Sequence, residues 1–232
     1  MEDIRAYLAQ SAAQHKHLCP RQVLGVRIGR YAGRLLGFDP LQTAKRLLVI
    51  VETDGCFATG VEVATGCSIG SRNLRIEDYG KAAATFTDTR LRHSVRIAPA
   101  ADARRLARDY AGDASGRWEA MLEGYQAIPD ERLFSWQPVV LRTTIEAIFS
   151  RPGVRTNCEI CGEEIMNERE VEWKGRVVCR SCAGSSYYTS LSGQASPGHR
   201  PLWAPPAGLA RDLLRRLGGG ILARRNSKGW AG

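Results

Sequence analysis

The chain has 232 residues, 44% of them apolar, which suits one domain of about 150 residues with a sizeable core and a small appendage. No apolar run approaches a membrane span and Met1-Glu2-Asp3-Ile4 does not open a secretory leader, so a cytoplasmic protein is expected, and its seven cysteines point to metal or redox chemistry over a disulfide framework. The formal charge of +9 sits mostly in residues 200–232, at +6, leaving +3 for the rest, too little to make the body a nucleic-acid-binding surface.

A first helix is expected over 3–16, capped by Asp3, with Ile4, Leu8 and Ala12 on one stripe. It runs into His15-Lys16-His17-Leu18-Cys19-Pro20. In an extended segment His15, His17 and Cys19 share one face, whereas in a continued helix His15 and Cys19 align at i,i+4 and His17 turns aside. Pro20 suits the first turn of a new helix and places the Cys19 thiol near its positive end. Imidazole and thiolate together suit Zn and related transition metals; the plainer alternative is a buried cysteine acting as a small hydrophobe.

The second helix is expected over 20–36, with Leu24, Ile28, Tyr31 and Leu35 on one face and Gly25, Gly29 and Gly33 beside it. Each interior glycine costs roughly 1 kcal/mol relative to alanine. The stripe therefore predicts close approach of another backbone, whether a helix, a sheet or a second protomer. Gly37 ends the helix.

Residues 46–52 read as a strand apolar on both faces, followed by Asp54 as cap of a helix over 56–65, with Cys56 at the strand-to-helix junction. After the glycine-bounded loop Gly66-Cys67-Ser68-Ile69-Gly70 come strands at 73–77 and 82–87, joined by a turn at Asp78-Tyr79-Gly80-Lys81, and a strand over 91–98. Helices follow at 100–111 and 116–127, and 138–149 stays open between strand and helix. Strands and helices mix without a βαβ rhythm, so the fold class is α+β. Arg151-Pro152-Gly153 marks a boundary, giving a core over 1–152, a finger over 153–185 and a flexible basic tail over 186–232. Residues 209–225 suggest a short basic amphipathic helix interrupted by Gly218-Gly219-Gly220.

Two Cys-x-x-Cys pairs, Cys158 with Cys161 and Cys179 with Cys182, supply four thiolates at the spacing of a tetrahedral structural Zn site. Gly162 follows the first knuckle, and residues 171–178 spell a β-hairpin. So short a segment cannot bury a core, so the metal provides most of its folding free energy. A closed site of this kind is structural, not catalytic.

His15-x-His17-x-Cys19-Pro20 with Gly25 resembles the opening motif of the formylmethanofuran dehydrogenase FmdE-like family. Glu52-x-Asp54-x-Cys56, Thr65-Gly66-Cys67-x-x-Gly70, Asn73-Leu74 and Asp78-Tyr79-Gly80-Lys81 with Thr85-Phe86 resemble its later motifs. This chain departs from the family pattern at Lys16, where glycine is usual, at Thr59, where an acid is usual, and at Ser71-Arg72. The resemblance implies an α+β core that forms intertwined dimers with a metal-associated Cys/His cleft, in some members followed by a treble-clef zinc finger. It would give the glycine stripe a use at the dimer interface, and it implies an association with a molybdenum or tungsten oxidoreductase.

The expected cleft site is His17, Cys19 and Cys56 around a second transition metal, Zn first, with His15 as fourth ligand or supporting partner. Asp54 and Lys81 line the cleft. Eleven residues separate Cys56 from Cys67, about 16 Å if helical, so both cannot bind one ion, and Cys67 is read as cleft-lining and a reserve ligand. Three functions compete: a metal-binding protein that accompanies such an oxidoreductase, a stand-alone metal- or thiol-dependent enzyme, and a zinc-finger regulator of nucleic acid or protein. Nucleic-acid binding through the finger and tail is the less favoured partner reading.

Overall fold

The computed structural model describes residues 4–39, 41 and 44–189. The chain divides into two units, Met1–Phe149 and Ser150–Gly232. The expected Asp3 cap and the tail helix lie outside the described residues.

The first unit opens with helices α1 (Ile4–His15) and α2 (Pro20–Leu36). Strand β1 (Leu47–Val51), helix α3 (Cys56–Thr65) and strand β2 (Leu74–Ile76) form a parallel crossover, and β3 (Ala84–Asp88) and β4 (His93–Pro99) follow. Helices α4 (Ala103–Asp109), α5 (Arg117–Ala127) and α6 (Asp130–Leu133) lead to β5 (Phe134–Val139) and α7 (Ile145–Phe149). The five strands make one mixed sheet in the order β2-β1-β3-β4-β5. The α+β expectation holds, and α2 and α3 begin and end at the expected residues.

Two strand expectations are corrected. Residues 74–76 and 84–88 are not a hairpin: β2 pairs parallel and β3 antiparallel with the same β1, one on each side. A strand apolar on both faces takes the interior of the sheet, and the polar segment after β2 crosses its end. There Tyr79 and Lys81 backbone N–H groups both donate to the Glu52 carbonyl, each at 3.0 Å. The open segment 138–149 resolves into the end of β5, a connection and α7, and β5 itself starts four residues earlier.

One sheet face packs on the helices through Leu47, Val49, Val51, Ala84, Phe86, Val95 and Ile97. The glycine stripe meets α3 of the same chain. A Cβ at Gly25 would lie 2.2 Å from the Phe57 carbonyl oxygen, and one at Gly60 would lie 2.5 Å from that of Gln22. Gly29 faces Ala64 and Thr65. Residue numbers rise together along this contact, so α2 and α3 run parallel and their N-termini lie at one end. The stripe is thus consumed inside the chain, and the interface role that the resemblance gave it falls away at Gly25 and Gly29.

Buried Arg27 on α2 donates to the Tyr125 carbonyl at 2.6 Å and pairs with Asp130, which also holds Arg34. Burial lowers the affinity of Arg27 for its proton, and Asp130 offsets part of that cost.

The second unit contains hairpins β6 (Arg155–Asn157) with β7 (Glu164–Met166) and β8 (Val171–Trp173) with β9 (Arg176–Val178). The β8–β9 turn has positive φ at Lys174 (52°) and Gly175 (73°), the geometry of a tight two-residue hairpin turn. Its buried hydrophobic cluster is Cys158, Ile165 and Val178. This is too little apolar burial to hold a fold unaided.

Candidate metal centres

In the finger, the ligand atoms of Cys158, Cys161, Cys179 and Cys182 all lie within 4.8 Å of one another. Cys161 Sγ is 4.0 Å from Cys179 Sγ, close to the roughly 3.8 Å edge of a tetrahedron with Zn–S bonds of about 2.3 Å. Gly162, with φ 76°, closes the first knuckle by donating its N–H to the Cys158 carbonyl at 2.9 Å. The Cys182 N–H donates to Cys179 Sγ at 3.3 Å. Burial pushes the Cys158 thiol up, but backbone N–H groups of Cys161, Cys179 and Ile160 outweigh it and bring it to about 6. Cys182 moves the other way, raised by burial and by the neighbouring sulfurs. Four sulfurs this close cannot all ionise unaided, and a divalent cation at their centre removes that conflict. The donor set fits Zn.

In the core, α1 ends at His15 and the chain reverses through Lys16, whose φ is +64°. That left-handed residue breaks the extended reading, so His15 and His17 do not share a strand face. His15 turns to α3, and His17 is exposed. Cys19 is the N-cap of α2, and Gln22 secures it. Its side-chain oxygen accepts the Cys19 N–H at 2.7 Å, and its Nε2 donates to the Ser11 carbonyl at 2.8 Å and to Ser11 Oγ at 3.1 Å. One buried amide therefore fixes the turn to both α1 and α2, a part that sequence reading missed. Its trace in the sequence is a Gln three residues after a cap position.

Cys56 begins α3 after the left-handed N-cap Gly55 (φ 69°); Asp54 is exposed and makes no side-chain cap bond, which corrects the expected capping. Cys56 Sγ lies 4.0 Å from His15 Nδ1. Burial and Cys19 together raise the Cys56 thiol, opposed by the positive charge of Arg21. Thr59 Oγ1 donates to the Gly55 carbonyl at 3.4 Å and contacts His15 Nε2 at 2.8 Å. In the tautomer with Nε2–H donating to the Thr59 hydroxyl, Nδ1 is the bare nitrogen that faces sulfur. Thr59 is a second part that sequence reading had not placed.

Cys56 and His15 thus stand together where two parallel helix N-termini meet, with Cys19 as the N-cap of α2, and the 4.0 Å S–N separation is near the roughly 3.6 Å of tetrahedral Zn with one thiolate and one imidazole. Among the described residues the finger is the one group of three or more donors drawn within 4.8 Å, and the core residues fall outside that limit. The strand end before Cys56 is braced by buried Glu52, whose carboxylate receives Arg96 Nε at 2.5 Å and Nη2 at 2.7 Å. Lys81 is exposed, with Nζ 5.9 Å from the Tyr79 ring centroid. Cys67 lies beyond the far end of α3, buried, donating to the Leu47 carbonyl and accepting from Asn73 Nδ2 at 3.2 Å. Burial pushes its thiol up to about 11. It stands about a helix length from Cys56, roughly 15 Å, as a satisfied core residue.

A thiol- and imidazole-bearing α+β core joined to a four-thiolate finger defines a metal-binding protein. More particularly, the chain belongs to the FmdE family: residues 14–135, over half its length, match the family described as "FmdE, Molybdenum formylmethanofuran dehydrogenase operon". Residues 152–188 match the prokaryotic dksA/traR C4-type zinc finger. A curated relative from Archaeoglobus fulgidus, described as a probable S-adenosyl-L-methionine-binding protein, is 30% identical over 196 residues, covering 75% of this chain and 51% of that one. The chain thus spans about half the length of that relative. The crystal structure of a tungsten formylmethanofuran dehydrogenase FmdE-like protein from Syntrophus aciditrophicus aligns with a TM-score of 0.51 at 18% identity, over 80% of this chain and 95% of that one. That likeness shows the fold.

Proposed function

We propose that the protein binds two metal ions, a structural Zn in the finger and a second transition metal, Zn first, in the core, and that it accompanies a molybdenum or tungsten oxidoreductase. What supports the core site is the 4.0 Å approach of Cys56 Sγ to His15 Nδ1, with Cys19 capping the parallel helix beside them. Three protein donors leave a position for water or substrate, which distinguishes this site from the closed finger. The metal would supply Lewis-acid chemistry there. His15 would present Nδ1 through its bond to Thr59, and Gln22 and the Glu52–Arg96 pair would hold the two cysteine-bearing turns in place. The association with an oxidoreductase is supported by the family, whose description places it in the operon of the molybdenum enzyme. A homodimer is supported by the sparse cover of the segment after α6: Trp136 is 50% and Val140 94% exposed, and α7 buries no residue. Cobalt titration of the full chain tests the core site. Two spectroscopically distinct sites, of which one is lost in Cys56→Ser, are expected; a single four-thiolate signal unchanged by that substitution would defeat the reading.

A further inference from the structure

We propose that the groove between the end of α2 and strands β4 and β5 docks an acidic segment of a partner protein, one that also carries apolar side chains. The inference rests on the reading that this protein accompanies another enzyme, and it names the surface by which it does so. The groove has a volume of about 440 Å³. Leu35 and Leu36 of α2, Leu91 of the β3–β4 turn, Val95 of β4, and Pro138 and Val139 of β5 line it. A concavity of this size with an apolar lining suits the side chains of a ligand. Leu91 is 58% exposed at its edge, an apolar side chain left to water in the isolated chain.

The charge around the groove selects the partner. Asp88, which lines it, is buried and paired with Arg46, and Arg92 in the lining is paired with Glu146. That second pair is largely exposed, so solvent weakens it and a partner carboxylate can take the place of Glu146. Three further cations border the groove. Arg90 precedes Leu91 in the turn, the Lys45 carbonyl accepts from Thr89 Oγ1 of the same turn at 3.1 Å, and Arg142 follows the end of β5. All three side chains are exposed, and none has an ion pair among the described residues. An apolar lining with unpaired cations at its border is complementary to leucine- or phenylalanine-bearing segments rich in Asp and Glu. A bilayer would need the apolar side chains to project, whereas here they line a concavity. Two copies meeting through the groove about a two-fold axis would set the same cations against one another.

The test uses the full chain and a fluorescein-labelled peptide, Glu-Asp-Leu-Glu-Leu-Phe-Asp-Glu, read by fluorescence anisotropy. One control peptide has serine for its apolar residues and a second has amides for its acids. Saturable binding to the parent is expected, weakened by added salt and at least about tenfold weaker for each control peptide. The same loss is expected in Leu91→Ser and in Arg90→Glu, both exposed turn positions, with circular dichroism unchanged. No binding to the parent would overturn the proposal, and so would equal binding to both variants, which would put the peptide on the basic tail. Leu91-dependent binding to phosphatidylserine vesicles, or a dimer lost in Leu91→Ser, without peptide binding would overturn it in favour of a membrane or a second copy. A chain that fails in any of these ways yet purifies with a molybdenum or tungsten enzyme would leave the accompaniment reading standing.

Discussion

Replacing Gly25 by alanine tests whether the close α2–α3 contact builds the core site. The added methyl would lie 2.2 Å from the Phe57 carbonyl oxygen and 3.0 Å from both Gly60 Cα and Val61 N. All three are backbone atoms, so no rotamer change relieves the overlap and the helices must part by about 1 Å. Overpacking of this kind costs roughly 1–3 kcal/mol, with the upper end apt for a backbone clash. Against it stands a gain of about 1 kcal/mol from the better helix propensity of alanine. The net expectation is a loss of about 2 kcal/mol, which lowers the melting temperature by roughly 4–8 °C. Thermal unfolding followed by circular dichroism reads the effect, with Gly29→Ala as the milder comparison, because Ala64 Cβ and Thr65 Cγ2, both side-chain atoms, stand closest there. The same substitution widens the gap between Cys19 and Cys56, so core metal affinity falls with stability. A Gly25→Ala protein as stable as the parent, with unchanged metal content, would refute the packing argument.

Lys16 occupies a left-handed conformation that costs a non-glycine residue about 1 kcal/mol. Lys16→Gly should therefore raise stability by up to about 1 kcal/mol in urea denaturation, less the greater freedom glycine gives the unfolded chain. Asp130→Asn leaves buried Arg27 and its neighbour Arg34 without their shared carboxylate and should cost about 3–5 kcal/mol in the same assay. Removing metal with a strong chelator should make the four finger thiols reactive to a chromogenic disulfide reagent and abolish the β8–β9 hairpin signals in NMR, with Cys158→Ser giving the same spectrum.

Much of the fold was legible because punctuation and period agreed. Pro20 and Gly37 bracket α2, and a glycine stands at each end of α3. The cysteine spacing of the finger could be read directly, since one ion dictates it. Strand order was not legible: a segment apolar on both faces demands an interior place, yet nothing in Leu74–Ile76 or Ala84–Asp88 says which side of β1 each will take. Within the site, Cys19 and Cys56 were found from motif and junction. The contact of His15 with Thr59 spans 44 residues, and that of Gln22 with Ser11 spans 11, so neither leaves a local period. The left-handed Lys16 interrupts the alternation of His15, His17 and Cys19, so His15 turns to α3 while His17 is exposed. That same φ gives a reason for the glycine usual at this position.

Metal content per chain, measured on the full-length protein after reconstitution and exhaustive dialysis, bears on the central claim most directly. The account predicts two equivalents in the parent, one in Cys19→Ser and in Cys56→Ser, and one in Cys158→Ser. One equivalent in the parent, retained by both core variants and lost only with the finger cysteine, would contradict it.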